Sequence, residues 1–394
     1  RSALQNNTTA SANTAVGKDA LKVNTTGDSN VAVGTNAADA NTTGAGLVSI
    51  GMGSLGSNTT ANFNTAVGYN ALTNNTTGHS NVGVGTNSLD ANTTGSYNTA
   101  LGMHALGATT TTGSNVAVGY DALAANSNGE RNTAIGANSL RTGNTGFSNC
   151  TAVGEGALEF NTANNNTAVG RNALEANTTG AYNVGVGAFS LDANTTGQQN
   201  TAVGYDSLGA NTEGIYNTAV GTNALRLNTT ANSNTAVGWS ALNANTTGTS
   251  NTAVGRAALQ NHQNGNSCTA VGTNALDAST TASANTAVGT SALGSTTTGG
   301  SNTGVGNSSL GSNTTGVQNT AVGSGALAVN TTANLNTAIG YAALNANTTG
   351  TTNVAVGANA LEDNTTANNN SALGYNTARN LTTGSENTAI GRSA

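Results

Sequence analysis

The sequence predicts an all-β chain, a parallel β-solenoid (β-roll or β-helix) of about 23 stacked 17-residue coils with two short strands per coil. Three observations predict it: a string that returns every 17 residues, a glycine fixed at one place in that string, and confinement of charge to a few other places. Repeats of this length are the signature of architectures in which each unit packs only on its neighbours.

The string is N-T-A-V-G-x-x-A-L-x-x-N-T-T-G-x-x, running from Asn13 to Ala394. Its positions are numbered here as slots 1 to 17 from Asn13. One extra residue near Cys150 and one missing residue near Ala163 cancel, so the register is kept overall. Slot 5 is always Gly: Gly17, Gly34, Gly51, Gly68, Gly85, Gly102, Gly119, Gly136 and onward to Gly391. Slot 4 is always Val, Ile or Leu, slot 2 is Thr, Val or Ser, and slot 9 is Leu except at Ala38 and Ala378.

Side chains alternate faces along a strand, and β-branched residues favour strands. Slots 1–4 therefore read as one strand and slots 8–11 as a second. Slots 2 and 4 are expected to point inward, with Val16, Val67, Val118 and Val203 meeting Leu21, Leu72, Leu123 and Leu208 across a thin core. Gly at slot 5 and Asn-Thr-Thr-Gly at slots 12–15 read as corners, because these residues tolerate positive φ. Slots 1, 3 and 5 are then expected to form a flat outer strip of Asn, Ala and Gly. In it, Asn64, Asn81, Asn98, Asn115, Asn200 and Asn217 would form an amide ladder and an assembly surface. Helix is excluded by the glycines in every repeat and by the absence of sustained three-and-four apolar spacing.

Charge placement supports a solvent side. Of 10 basic and 16 acidic residues, all but Glu213 fall in slots 6, 7, 10, 11, 16 and 17, and the aromatics follow the same rule. Only 7% of residues are charged and no basic stripe exists, which argues against nucleic acid as a partner. No apolar run long enough for a membrane-spanning helix occurs, so this segment is expected not to insert in a membrane. The chain reads as one continuous repeat domain, 1–394, beginning and ending mid-repeat, as a segment of a longer fibre would. At the usual strand spacing, the coils would make a rod about 110 Å long.

Asn30-Val31-Ala32-Val33-Gly34, Asn115-Val116-Ala117-Val118-Gly119 and Asn353-Val354-Ala355-Val356-Gly357 resemble the head repeats of YadA-like trimeric autotransporter adhesins. Similar arrays occur in bacterial surface proteins and phage tail-fibre-like proteins. The resemblance implies a left-handed roll, trimeric assembly, surface display and attachment; the 17-residue period is longer than in that family.

No catalytic, metal or cofactor site is expected. His79, His104 and His262 occupy different slots and read as solvated, and no acidic column offers calcium ligands. Cys150 and Cys268 stand about seven coils apart, too far to pair within one chain, and both sit at slot 1 in place of Asn. Asn24-Thr25-Thr26 and Asn92-Thr93-Thr94 match the N-glycosylation pattern, although turn chemistry accounts for them. The expectation is a non-catalytic extracellular or cell-surface fibre or adhesin shaft, a homo-oligomer (trimer or filament) that meets a surface or host receptor. The alternatives are an ice-binding solenoid, disfavoured by inward Thr at slot 2, and a phage-like receptor-binding fibre.

Overall fold

Seventeen residues close one turn of backbone. The computed structural model describes residues 2–142 and 146–394, which contain no helix and 23 strands of three residues, β1 (Thr14–Val16) to β23 (Thr388–Ile390). Contacts group them into two compact units, Arg1–Thr196 with the first eleven strands and Gly197–Ala394 with the other twelve. Within each unit, successive strands pair in parallel, slot over slot, as in Thr218↔Thr235, Ala219↔Ala236 and Val220↔Val237. The two slips leave this register intact: Thr133 pairs with Thr151 and Thr151 with Thr167. The extra residue is absorbed between Thr142 and Phe147, a stretch whose residues 143–145 lie outside the described set.

Each coil has one strand, the one at slots 2–4. The second, expected over slots 8–11, is not found; those slots run as turns in which slots 7 and 9 are left-handed, as at Asp19 (φ 60) and Leu21 (φ 46). Consecutive extended residues cannot form there, yet the backbone stays paired between coils. Leu21 N–H donates to Ala37 O (3.0 Å) and Asn36 N–H to Lys18 O (2.9 Å). A left-handed Leu costs about 1–2 kcal/mol. Full burial of the side chain, seen at Leu21, Leu72, Leu123 and Leu208, contributes roughly 1.5–3 kcal/mol and offsets it.

The strand faces are the reverse of the expectation. Slot 3 points inward: Ala32, Ala66, Ala117 and Ala202 have no exposed surface. Slot 4 points out, with Val16 57% exposed, Val203 exposed, and Val67 and Val118 half-buried. The reason is room. The interior receives Ala from slots 3 and 8 and Leu from slot 9, and Leu72 already lies 3.4 Å from where a Cβ on Gly83 would stand. Where slot 3 is Gly83, Gly185 or Gly304, slot 8 of the same coil is Ser88, Ser190 or Ser309, whose Oγ occupies the vacated space 3.0–3.1 Å from that Cβ position.

All 23 slot-5 glycines have φ between 125° and 142°. A Cβ there would also strike the next coil, since at Gly238 it would lie 2.5 Å from Gly255 O. Gly238→Ala therefore combines backbone strain of about 1–3 kcal/mol with a backbone clash. It is expected to lower the midpoint of urea unfolding more than Ala substitution at the outward Thr235, measured side by side.

Candidate functional site

With slots 2 and 4 outward, each unit presents an open sheet face of two columns. Slot 2 supplies mostly Thr, and slot 4 Val, Ile or Leu; from β12 (Thr201–Val203) to β20 (Thr337–Ile339), nine successive strands read Thr-x-Val or Thr-x-Ile. Val220, Val237, Val254, Val271 and Val288 are each more than a third exposed. No charged side chain stands in either column. Columns about 7 Å apart on strands about 4.8 Å apart cover roughly 400 Å² per unit. Each face matches in size the largest apolar patch of a typical monomer, about 300–600 Å², with mostly Thr in one of its two columns.

The Asn, Ala and Gly of slots 1, 3 and 5 do not form an outer strip. Asn64, Asn81, Asn98, Asn115, Asn200 and Asn217 are buried, because only an inward amide can reach both neighbouring coils. Asn81 N–H donates to Asn64 Oδ1 (2.9 Å), Asn98 N–H to Asn81 Oδ1 (2.9 Å), Asn115 N–H to Asn98 Oδ1 (3.1 Å) and Asn217 N–H to Asn200 Oδ1 (3.0 Å). Each Nδ2 crosses to a slot-15 carbonyl of the next coil, as Asn64 does to Gly78 O (2.7 Å). These are ladders of side chain to backbone.

A second ladder, of amide to amide, stands at slot 12, where the sequence reading saw only a corner. Asn41 Nδ2 donates to Asn24 Oδ1 (2.8 Å), Asn58 to Asn41 (3.0 Å) and Asn75 to Asn58 (3.0 Å). The same Nδ2 also donates to its own corner, as Asn58 does to Ala61 O (3.1 Å). The near-constancy of Asn at slot 12 was the available signal. Asn24 and Asn92 of the two glycosylation triplets belong to this ladder and are buried, out of reach of a glycan. Where slot 12 changes to Thr109, His262 or Leu381, the Oδ1 of the preceding Asn92, Asn245 or Asn364 is left buried without a partner.

His262 is thus not solvated. It replaces a ladder Asn, fully buried, with Nδ1 2.9 Å from Ser279 Oγ and Nε2 2.8 Å from Gly265 O. Burial pulls its imidazole below the ordinary value. Cys150 and Cys268 likewise fill ladder positions: their N–H groups donate to Asn132 Oδ1 (3.0 Å) and Asn251 Oδ1 (2.9 Å), and their thiols to Ala163 O (3.3 Å) and Ala282 O (3.4 Å). Burial pushes both thiols up. These are inert sites, since a thiolate is the reactive form.

Among the described residues no Lys, Arg, Asp or Glu is buried. Ion pairs bridge adjacent coils on the surface, as Arg226 Nε to Asp206 Oδ2 and Arg379 Nε to Glu362 Oε2, both 2.6 Å. The aromatics lie outside except Phe147, which is fully buried. It sits just after the inserted residue, where its carbonyl takes the slot-15 part by accepting from Asn132 Nδ2 (3.0 Å). The described residues include no group of three or more His, Cys, Asp or Glu able to hold a metal, and no helix long and apolar enough to cross a membrane. No protein-family model and no curated protein matches the chain.

Two outcomes follow for the interior. Asn58→Asp sets a carboxylate against Asn41 Oδ1 and Ala61 O, both acceptors, with a loss of about 3–5 kcal/mol expected in urea unfolding at neutral pH. His262 has a folded value below its unfolded value of about 6.5, so the unfolded chain binds the proton more readily. Its contribution is full above that value and is lost as pH falls through and below it. His262→Asn, which also offers Asn245 Oδ1 a donor, is expected to melt higher than the wild type and to lose less stability between neutral and mildly acidic pH.

Proposed function

We propose that this chain is a non-catalytic structural fibre or adhesin segment, exposed outside the cell or on its surface, and that it assembles with copies of itself through the Thr/Val sheet face. The observation that carries the reading is the uncharged, regularly ridged face left open by all 23 strands. Each unit offers roughly 400 Å² of this face per copy, about half of the roughly 800 Å² per partner of a standard specific interface, so engagement of both units' faces would bring the contact to about that size. A second copy offers an identical set of ridges at an identical spacing, and closed assembly of like faces is the common solution for such surfaces. The resemblance of the Asn-Val-Ala-Val-Gly strings to YadA-like trimeric heads points the same way. The assembly strip is therefore slots 2 and 4, in place of slots 1, 3 and 5.

Ice binding is the second reading, favoured by one specific observation: the slot-2 Thr hydroxyls and methyls point outward in register from Thr201 to Thr337. The two readings use the same face and exclude each other there. A face packed on a partner cannot meet ice.

Multi-angle light scattering separates them. The wild type is expected to run as a discrete homo-oligomer, and the triple variant Val220→Lys, Val237→Lys and Val254→Lys as a folded monomer with unchanged circular dichroism. A monodisperse wild-type monomer would sink the assembly reading, and thermal hysteresis from that monomer would establish the other.

A further inference from the structure

Eight of the 13 aromatic residues fall into four pairs exactly 34 residues apart in one slot: Phe63 and Tyr97, Tyr182 and Tyr216, Tyr205 and Trp239, Tyr341 and Tyr375. All eight are among the exposed large apolar side chains. Thirty-four residues are two coils, so within one unit the members of a pair stand on one side of the solenoid about 9.6 Å apart.

Phe63 and Tyr97 carry the point furthest. Both occupy slot 17, where the backbone is left-handed (φ 59 and 61), a conformation unfavourable for a bulky side chain. Ser29, Ser80 and Ser114 hold the same slot in other coils. At most fully buried positions such strain is offset by packing, but Phe63 is 67% and Tyr97 62% exposed. Phe63 lies over Gly46 of the preceding coil, yet both rings keep most of their surface in solvent, which packing within the coil stack does not require. Between them, in the intervening coil, His79 makes a T-shaped contact with Tyr97, ring centroids 4.9 Å apart and planes at 87°. A shallow groove beside Phe63 is lined by Thr60, Ala61, Asn62, Thr77 and His79, hydroxyls and amides without a carboxylate or a cation beyond the imidazole.

We infer that these paired rings are stacking platforms for an extended, neutral polysaccharide, of the β-1,4-linked glucan or N-acetylglucosamine type. In such a chain the axial C–H faces of successive sugars repeat after one disaccharide, a length close to two coils. C–H groups lie on the negative faces of aromatic rings, and hydroxyls of the sugar edge find the Thr and Asn side chains. Charged glycans have no counter-charge in this groove. The spacing recurs at slot 6 within the second unit, in Tyr205/Trp239 and Tyr341/Tyr375, which gives one ligand lying along that unit two points of attachment and raises avidity without a deep pocket. The inference depends on the outward rings alone and not on the assembly face, so each reading can fail without the other.

Affinity electrophoresis of the full chain in native gels containing hydroxyethylcellulose or glycol chitin tests it. The wild type is expected to be retarded by at least one of them, and Phe63→Ala with Tyr97→Ala to weaken binding about tenfold for that platform, read with a chain already carrying Tyr182→Ala, Tyr216→Ala, Tyr205→Ala, Trp239→Ala, Tyr341→Ala and Tyr375→Ala. In that same background, Tyr97→Ser with Ser80→Tyr keeps two rings but brings them one coil apart, and is expected to bind as poorly as the double alanine variant. Circular dichroism and light scattering check that each variant keeps the fold and oligomeric state. Absence of retardation in both polymers overturns the proposal, as does undiminished binding by the one-coil variant.

Discussion

Register governs everything else in this molecule: each residue must lie over its counterpart 17 positions later. The constraint is sharpest at slot 5, where a glycine without Cβ passes directly beneath the carbonyl of the next glycine. A larger residue would lift one coil from another and break strand pairing, amide ladders and Leu packing together. Because every contact is between neighbours, a single coil has no core of its own and its stability is borrowed from the stack. The strands are only three residues long, so the sheet alone would not hold; the turns must also pair between coils, and they do.

The period, the glycine corners and the solvent slots were legible because each is a steric or solvation rule applied over and over. The face assignment was not. Alternation in a strand allows two phases, and the β-branched Val16, Val67, Val118 and Val203 pulled the reading toward the wrong one. The better signal was tolerance of size: slot 3 accepts only Ala, Ser or Gly, whereas slot 4 accepts Val, Ile and Leu. A tight interior forbids what an open surface permits. The second strand was misread for a related reason, since nothing in the Leu of slot 9 announces a left-handed backbone that propensity disfavours and burial imposes.

The irregular coils show how the ladders tolerate error. Cys150 and Cys268 still take an N–H into the amide column and still send a donor across to a corner carbonyl, although sulfur does both weakly. Thr109, His262 and Leu381 break the slot-12 column, and each break is marked by one orphaned oxygen. Elsewhere, inward amides combine close packing with directional bonds, so coils cannot rotate or slip without losing both. Polar residues thus set the register that the small Ala and Leu core could not set by itself.

A protein so rich in asparagine invites spontaneous deamidation, in which the next residue's main-chain nitrogen attacks the side-chain amide. Here that nitrogen is occupied. The N–H after Asn64 is held by Asn81 O (2.8 Å), and the N–H after Asn75 by Thr93 O (2.9 Å). The stacking that aligns the amides therefore also withholds the nucleophile that would age them, so deamidation at these positions has to wait for local opening of the coils.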